Sequence, residues 1–111
     1  MAVTNKRLIE GAALTASASA LYAAPAKART IIKRLTLANC GALPASVTVY
    51  LVPPSGSAGD ASTAVKARTL AAGETWICGA AEGHVLESGG SIQAVADAAG
   101  VTLMASGVEV A

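Results

Sequence analysis

Turn-forming residues cut this chain into short segments, and none of those after residue 25 is a credible amphipathic helix. Runs such as "TIIKRLTLAN" and "ASVTVYLVP" are rich in β-branched residues and leucine, and the runs are roughly four to nine residues long. The turns carry Gly, Pro, Asn or Ser, as in "NCGALP" and "PPSGSAGD". The sequence therefore predicts an all-β fold, an antiparallel β-sandwich or jelly-roll-like barrel of about eight short strands.

A chain of 111 residues is the size of one domain. Residues 1–10 are polar and charged without a clear period, so we predict a flexible N-terminal arm over 1–10 and a single β-sandwich domain over 11–111. The segment "ALTASASALYAAP" suits an Ala-rich helix by propensity and two short strands by alternation, and we favour strands. The N-terminal region faintly mimics a secretory signal, but Glu10 weakens that interpretation. No stretch reaches the 18 or more apolar residues of a transmembrane helix, so no membrane partner is expected.

Large apolar side chains are scarce in this chain. Hydrophobic residues make up 53%, but 27 of them are Ala and 25 are Leu, Ile or Val, with one Trp, two Tyr and no Phe. Alanine contributes little at about 25 cal/mol per Å² of buried apolar surface, against a backbone ordering cost of roughly 1–2 kcal/mol per residue. We therefore expect marginal stability as a monomer, with neighbouring subunits supplying further burial.

The charges are nearly balanced but unevenly distributed. The formal net charge is +1, which does not favour nucleic acid or an anionic membrane as partner. All eight cationic residues precede residue 70, and five of the seven acidic residues follow it. Either the molecule is dipolar and docks head to tail or on an acidic surface, or folding interleaves the two halves.

Two cations lie inside the predicted strand over residues 30–38, and they raise a question about its faces. Strict alternation places Ile31, Leu35 and Leu37 on one face and Ile32, Arg34 and Thr36 on the other. Lys33 then interrupts the apolar face. It can snorkel past a strand end, blunt a sheet edge, or pair with a carboxylate of a neighbour, in which case Lys33 and Arg34 are interface residues.

Trp76 is the only tryptophan, and alternation in "TWIC" puts it on the same face as Cys78. Core packing is the default for this side chain. On an outer face, with Tyr50 or Tyr22, it would instead anchor a subunit contact. Cys40 and Cys78 fit no metal pattern, and they either form one disulfide or remain two free thiols.

Motifs that carry chemistry are weak throughout. His84 is the only histidine, and the serines near it are not part of a G-x-S-x-G elbow. The glycine-bearing loops lack phosphate-binding spacing, and a single carboxylate such as Asp60 rarely suffices for calcium. We therefore expect no enzyme, no catalytic residue, no cofactor and no metal. A small hydrolase built around His84 is the catalytic alternative.

A set of landmarks follows in order along roughly residues 20–110. They are Tyr22 with Pro25, "IIKRLTLAN" ending at Asn39, "VTVYLVP", "LAAGET", "GHVLESGGSI" and "SGVEV". In order and spacing they resemble small virion proteins of tailed bacteriophages, although Cys40 stands where such proteins often have Thr. The resemblance implies a capsid decoration protein, a head-fibre base, or a neck or tail component.

The resemblance also implies a location and partners. The protein is expected in the virion, bound to the major capsid protein or to neighbouring virion proteins, as a homo-oligomer. We expect a trimer, and a hexamer or a dimer stays open as an alternative. The candidate interface residues are Lys6, Arg7, Lys33, Arg34, Tyr50 and Trp76, with the cations docking on acidic neighbours. An exported Ig-like adhesion or carbohydrate-binding module is the alternative of another class.

Overall fold

The computed structural model describes residues 3–17, 19–98 and 100–111. These residues form nine β-strands and a turn of 3-10 helix at Asp60–Ser62. The strands are β1 (Val3–Ala13), β2 (Ser19–Ala23), β3 (Arg29–Asn39), β4 (Ala45–Val52), β5 (Thr63–Leu70), β6 (Thr75–Ile77), β7 (Val85–Leu86), β8 (Ser91–Ala96) and β9 (Val101–Val110).

The strands make two antiparallel sheets that pack face to face. The first sheet has the order β1-β9-β3-β6, with β7 also paired to β3, and the second has the order β2-β8-β4-β5. The predicted all-β antiparallel sandwich is therefore confirmed. Strands from the two halves of the sequence are neighbours in both sheets, as in β1-β9 and β4-β8, so folding interleaves the cationic and acidic halves.

The N-terminal residues are part of the first sheet. β1 pairs with β9 from Val3 opposite Val110 onward. The prediction of a flexible arm over residues 1–10 is therefore wrong for residues 3–10, and residues 1 and 2 lie outside the described residues. The strand gave no periodic signal because residues 3–7 are exposed on both faces. Of the two short strands favoured in "ALTASASALYAAP", one is confirmed as β2, whereas residues 14–17 are not in a strand and residue 18 is outside the described part.

A β-bulge in β3 answers the question raised by the two adjacent cations. The register with β9 shifts between Ile32 and Arg34, so Lys33 is an extra residue and both cations are exposed. The buried positions are Thr30 and Ile32 before the bulge and Leu35, Leu37 and Asn39 after it. Strict alternation is therefore wrong here, because an inserted residue moves every later side chain to the opposite face.

A second bulge lies at the same level of the sheet, on the other side of β9. The β1 register shifts between Arg7 and Ile9, which lets the consecutive residues Leu8 and Ile9 both enter the core. Gly107 of β9 lies between the two bulges. A Cβ atom there would collide with the carbonyl oxygen of Ile31 and would lie 2.9 Å from a methyl carbon of Leu8.

The core lies between the two sheets and is built from aliphatic side chains. Its largest fully buried members are Ile32, Leu35, Leu37, Leu70, Ile92 and Leu103. Asn39 organises the adjacent turn, since its side-chain amide donates to the carbonyls of Leu43 (2.9 Å) and Leu70 (3.1 Å). Cys40 is exposed, Cys78 is buried, and both are free thiols.

Candidate functional site

Two arginines flank a serine on the outer face of the first sheet, the side that points away from the second sheet. The register puts Arg7 of β1 opposite Ser106 of β9, and Ser106 opposite Arg34 of β3. Adjacent strands are about 4.8 Å apart, so the two arginine Cα atoms are separated by roughly 10 Å. A shallow depression of about 210 Å³ opens at this point. Its lining is Arg7, Arg34, Thr36, Met104, Ala105 and Ser106.

The positive charge of this pair is only partly neutralised. The Nε atom of Arg34 lies 3.7 Å from a carboxylate oxygen of Glu82, and the two side chains are 62% and 33% exposed. A surface ion pair of this kind contributes about 0–1 kcal/mol, so it does not commit Arg34 to Glu82. Within the described residues, no carboxylate lies at ion-pair distance from Arg7. The pair can therefore accept a carboxylate from another molecule, which a guanidinium binds with two parallel hydrogen bonds.

Apolar side chains continue the same face toward one end of the sheet. Ile31 of β3 lies between Val108 of β9 and Val85 of β7, and Val110 lies next to Val3. Val3 is 61% exposed and Val85 is 49% exposed. A second depression, of about 220 Å³, is lined by Ile31, Val85, Val110 and Arg29.

We call this combined surface the outer patch. It consists of the apolar residues Val3, Ile31, Val85, Val108 and Val110 and the cations Arg7, Arg29 and Arg34. A contiguous exposed apolar surface with a polar rim is typical of a protein interaction site. Its arginine rim matches a partner surface that carries carboxylates around an apolar centre.

Lys6 lies on the opposite face of β1 from Arg7, at the end of the sandwich. Its Nζ atom is 3.5 Å from a carboxylate oxygen of Glu109. The same oxygen accepts a 2.5 Å hydrogen bond from the hydroxyl of Tyr22, which lies 2.8 Å from the hydroxyl of Thr30. This end cluster joins β2 of the second sheet to three strands of the first.

Burial raises the pKa of Tyr22 to about 12, and its hydrogen bond to Glu109 acts in the same direction. Both effects favour the neutral phenol, because a phenolate would be partly desolvated and would lie beside a carboxylate. The phenol is therefore a hydrogen-bond donor in the end cluster through the neutral pH range. The end cluster fixes the two sheets to each other and leaves Lys6 away from the outer patch.

Trp76 lies on the core side of β6, opposite Leu37, and is half-buried. The guanidinium carbon of Arg68, on β5, lies 4.5 Å from the centre of its ring. Because β6 and β5 are the edge strands on one side of the two sheets, this cation–π contact closes that side of the sandwich. The indole is thus a core-edge residue in this protomer.

The six predicted interface residues do not form one site. Arg7 and Arg34 come together on the outer patch, and Lys33 is exposed at the neighbouring bulge. Tyr50 is half-buried on the face of the second sheet that points away from the core, so it lies across the sandwich from the outer patch. Sequence reasoning missed Arg29 and the apolar members of the outer patch. Two consecutive cations inside a strand were the one hint of a bulge between Ile32 and Arg34, but they are not specific for one.

The serines near His84 use their hydrogen bonds elsewhere. The Ser88 hydroxyl donates to the Pro25 carbonyl and accepts from the Lys27 amide, both at 3.0 Å. Ser91 is buried and accepts from the side chain of Gln93 at 3.2 Å. Across the described ranges, no three His, Cys, Asp or Glu side chains are grouped to hold a metal ion. Those ranges also contain no helix with the length and hydrophobicity needed to cross a membrane.

Comparison with known proteins gives no match for this chain, whether with models of protein families, with curated proteins or with solved structures.

Proposed function

We propose that this protein is a non-enzymatic structural protein of a bacteriophage virion, a capsid decoration or head-fibre-base protein that binds the shell as a homo-oligomer. The outer patch is the observation that carries the proposal. A protein that acts by being held on a larger assembly needs an interaction surface. The apolar strip is exposed at Val3 and Val85 and half-buried at the other three positions, and with its arginine rim it has the chemistry of such a surface. The ordered sequence landmarks of small virion proteins point to the shell as that assembly.

The proposed contact follows from the chemistry of the patch. Arg7, Arg29 and Arg34 bind carboxylates of the major capsid protein, while the valines and Ile31 pack on apolar side chains between them. Arginine suits this role better than lysine because its planar guanidinium binds a carboxylate in a fixed orientation. The loop between β4 and β5, with its Pro, Gly and Ser residues, extends away from the shell in this arrangement.

The first experiment changes the charge of the patch. Purified chain carrying Arg7→Glu and Arg34→Glu is incubated with particles that lack the protein, and bound chain is quantified after sedimentation. We expect at least about a tenfold loss of binding, since two charge-assisted contacts become repulsive. Lys66→Glu is the matched control, because Lys66 is exposed and lies on β5 of the other sheet. Equal binding of the double variant and the control would contradict the docking face.

The second experiment locates the protein in the particle. A cryo-EM map of the virion, with mass spectrometry of its proteins, is expected to show the sandwich on the capsid surface. Density at the neck or tail would move the proposal to that part of the particle. Absence of the chain from virions, together with an N-terminus shortened by signal cleavage, would replace it by the exported adhesion module.

A further inference from the structure

The first half of β1 is an open sheet edge. β1 pairs with β9 on one side, and on the other side no described strand pairs with it. Residues 3–7 have exposed side chains on both faces and pair with β9 in an unbroken register, from Val3 opposite Val110 to Arg7 opposite Ser106. Natural edges are commonly blunted by bulges, but here the bulges begin only after Arg7.

The hydrogen bonds elsewhere in the sheet show which backbone groups reach this edge. On β3, Ile32 donates to His84 at 2.9 Å and accepts from Gly83 at 2.7 Å, on the side away from β9. Backbone groups alternate sides along a strand, so those of Ile31 point to β9 and are met by Val108, its partner in the register.

The same alternation carries across β9 to β1. Gly107 and Glu109 then point to β1, where their register partners are Lys6 and Thr4. The N–H and C=O groups of the remaining residues, Val3, Asn5 and Arg7, are therefore directed at the open edge. Three residues in a regular stretch offer six backbone groups for pairing with another strand.

The sequence of this stretch favours a second copy of itself as the occupant. A two-fold axis at Asn5 sets two antiparallel β1 strands with Asn5 opposite Asn5, Val3 opposite Arg7 and Thr4 opposite Lys6. No cation then faces a cation, and the aliphatic stem of Arg7 covers the exposed Val3 of the other copy. Axes at Lys6 or Arg7 would instead set like charges directly opposite each other, which destabilises a cross-strand pair.

We propose that two copies of this chain pair through residues 3–7 of β1 about a two-fold axis at Asn5, joining their first sheets into one continuous sheet. The pairing makes about six backbone hydrogen bonds, two at each of the three hydrogen-bonded positions. It also brings the two outer patches side by side on one surface. This symmetry is two-fold, so it selects the dimer that the resemblance left open beside the expected trimer, and it does not depend on a location in the virion.

Cysteine cross-linking tests the register in the purified chain. All variants carry Cys40→Ser, because Cys40 is an exposed thiol. Asn5→Cys places two thiols across the axis, where hydrogen-bonded partners have Cα atoms about 5.5 Å apart, within the range of a disulfide. Val3→Cys is the matched control, since the two copies of residue 3 are four residues apart along the strand, roughly 13 Å. With a mild oxidant, we expect at least about tenfold more covalent dimer from Asn5→Cys than from Val3→Cys. A mixture of Val3→Cys and Arg7→Cys chains should also cross-link efficiently, because the register places residue 3 of one copy opposite residue 7 of the other.

A proline substitution tests the hydrogen bonds. Asn5→Pro removes an N–H that points to the open edge, and it leaves the bonds between β1 and β9 intact. Asn5→Ala shortens the same side chain but keeps the N–H. Sedimentation velocity over a concentration series is expected to show self-association at least about tenfold weaker for Asn5→Pro than for Asn5→Ala. Circular dichroism of both variants checks that the sandwich is folded.

The two measurements make the proposal refutable without virions. Equal cross-linking of Asn5→Cys and Val3→Cys, or a chain that stays monomeric at all concentrations, would overturn it. A trimer that is insensitive to Asn5→Pro would do the same. Failure of the particle-binding experiment with intact Asn5 cross-linking would remove the shell assignment and leave the paired dimer in place.

Discussion

The end cluster gives the sharpest stability prediction, through the change Tyr22→Phe. The phenol donates a 2.5 Å hydrogen bond to Glu109, whose side chain is only 16% exposed, and it satisfies the hydroxyl of the fully buried Thr30. Removing one oxygen atom leaves both groups short of a partner. Hydrogen bonds to charged groups contribute about 1.5–3 kcal/mol. Because the phenol and carboxylate are partly solvated, we expect a loss of about 1–2 kcal/mol in the free energy of unfolding.

Equilibrium unfolding in urea, followed by the fluorescence of the single Trp76, measures this loss. At about 4 °C per kcal/mol, the thermal midpoint should fall by roughly 4–8 °C. Tyr50→Phe deletes the same atom from a half-buried tyrosine whose hydroxyl has no side-chain partner among the described residues, so it should change stability by less than about 0.5 kcal/mol. If Tyr22→Phe costs no more than Tyr50→Phe, the end cluster does not hold the two sheets together.

Two further predictions follow from the same structure. Because the pKa of Tyr22 is raised from 10.0 to about 12, its contribution to stability is complete below pH 10 and is lost as the pH rises from about 10 to 12. Urea unfolding at a series of pH values across that range should show this loss in the native chain and not in Tyr22→Phe. The loss should be smaller than the roughly 2.7 kcal/mol that corresponds to two full pKa units, because the phenol is partly exposed. Gly107→Ala should lower the free energy of unfolding by about 1–3 kcal/mol or more, because the added methyl group collides with the Ile31 carbonyl. Gly59→Ala is the control and should be nearly neutral, because the methyl group meets open space there and φ is an extended −178°. Equal losses of stability in urea unfolding would refute the close packing at Gly107.

Turn chemistry and β-branched runs were enough to predict the fold class, because Gly, Pro or Asn separates every pair of consecutive strands from β2 onward and the segments between these turns are rich in β-branched residues. The strand "ASVTVYLVP" shows why: Val47 and Val49 are buried and Thr48 and Tyr50 are not, as simple alternation requires. Alternation also placed Trp76 and Cys78 on one face correctly. These segments pair in regular register on at least one side, so local pattern and tertiary position agree.

Prediction from side-chain alternation failed at the bulge in β3 and at the edge strand β1. A bulge depends on what the neighbouring strand does, and the sequence around Lys33 contains no residue that is specific for one. The result was an inverted assignment of Ile31 and Ile32, and with it the apolar members of the outer patch were missed. β1 was missed for a related reason, because an edge strand exposed on both faces needs no alternation and reads like an unstructured segment. The ion pair between Lys6 and Glu109 could not be predicted either, because the two residues are over a hundred positions apart in sequence. Their proximity depends on the register between β1 and β9, which a local pattern does not show.

The scarcity of large side chains led us to expect that neighbouring subunits supply further burial, but the core of the single chain is already closed. The Cα radius of gyration is 13.4 Å, close to the roughly 13 Å expected of a compact chain of this length, so the two sheets close on a core made largely of Leu, Ile, Val and Ala. Of the four most exposed large apolar side chains among the described residues, Val3 and Val85 belong to the outer patch, whereas Leu43 and Ile77 lie outside it. Subunit contact would therefore add burial outside a closed core, and it would not complete an open one. We therefore expect that each protomer folds first and then associates. For this reason Asn5→Pro can weaken the pairing between two copies while each sandwich stays folded.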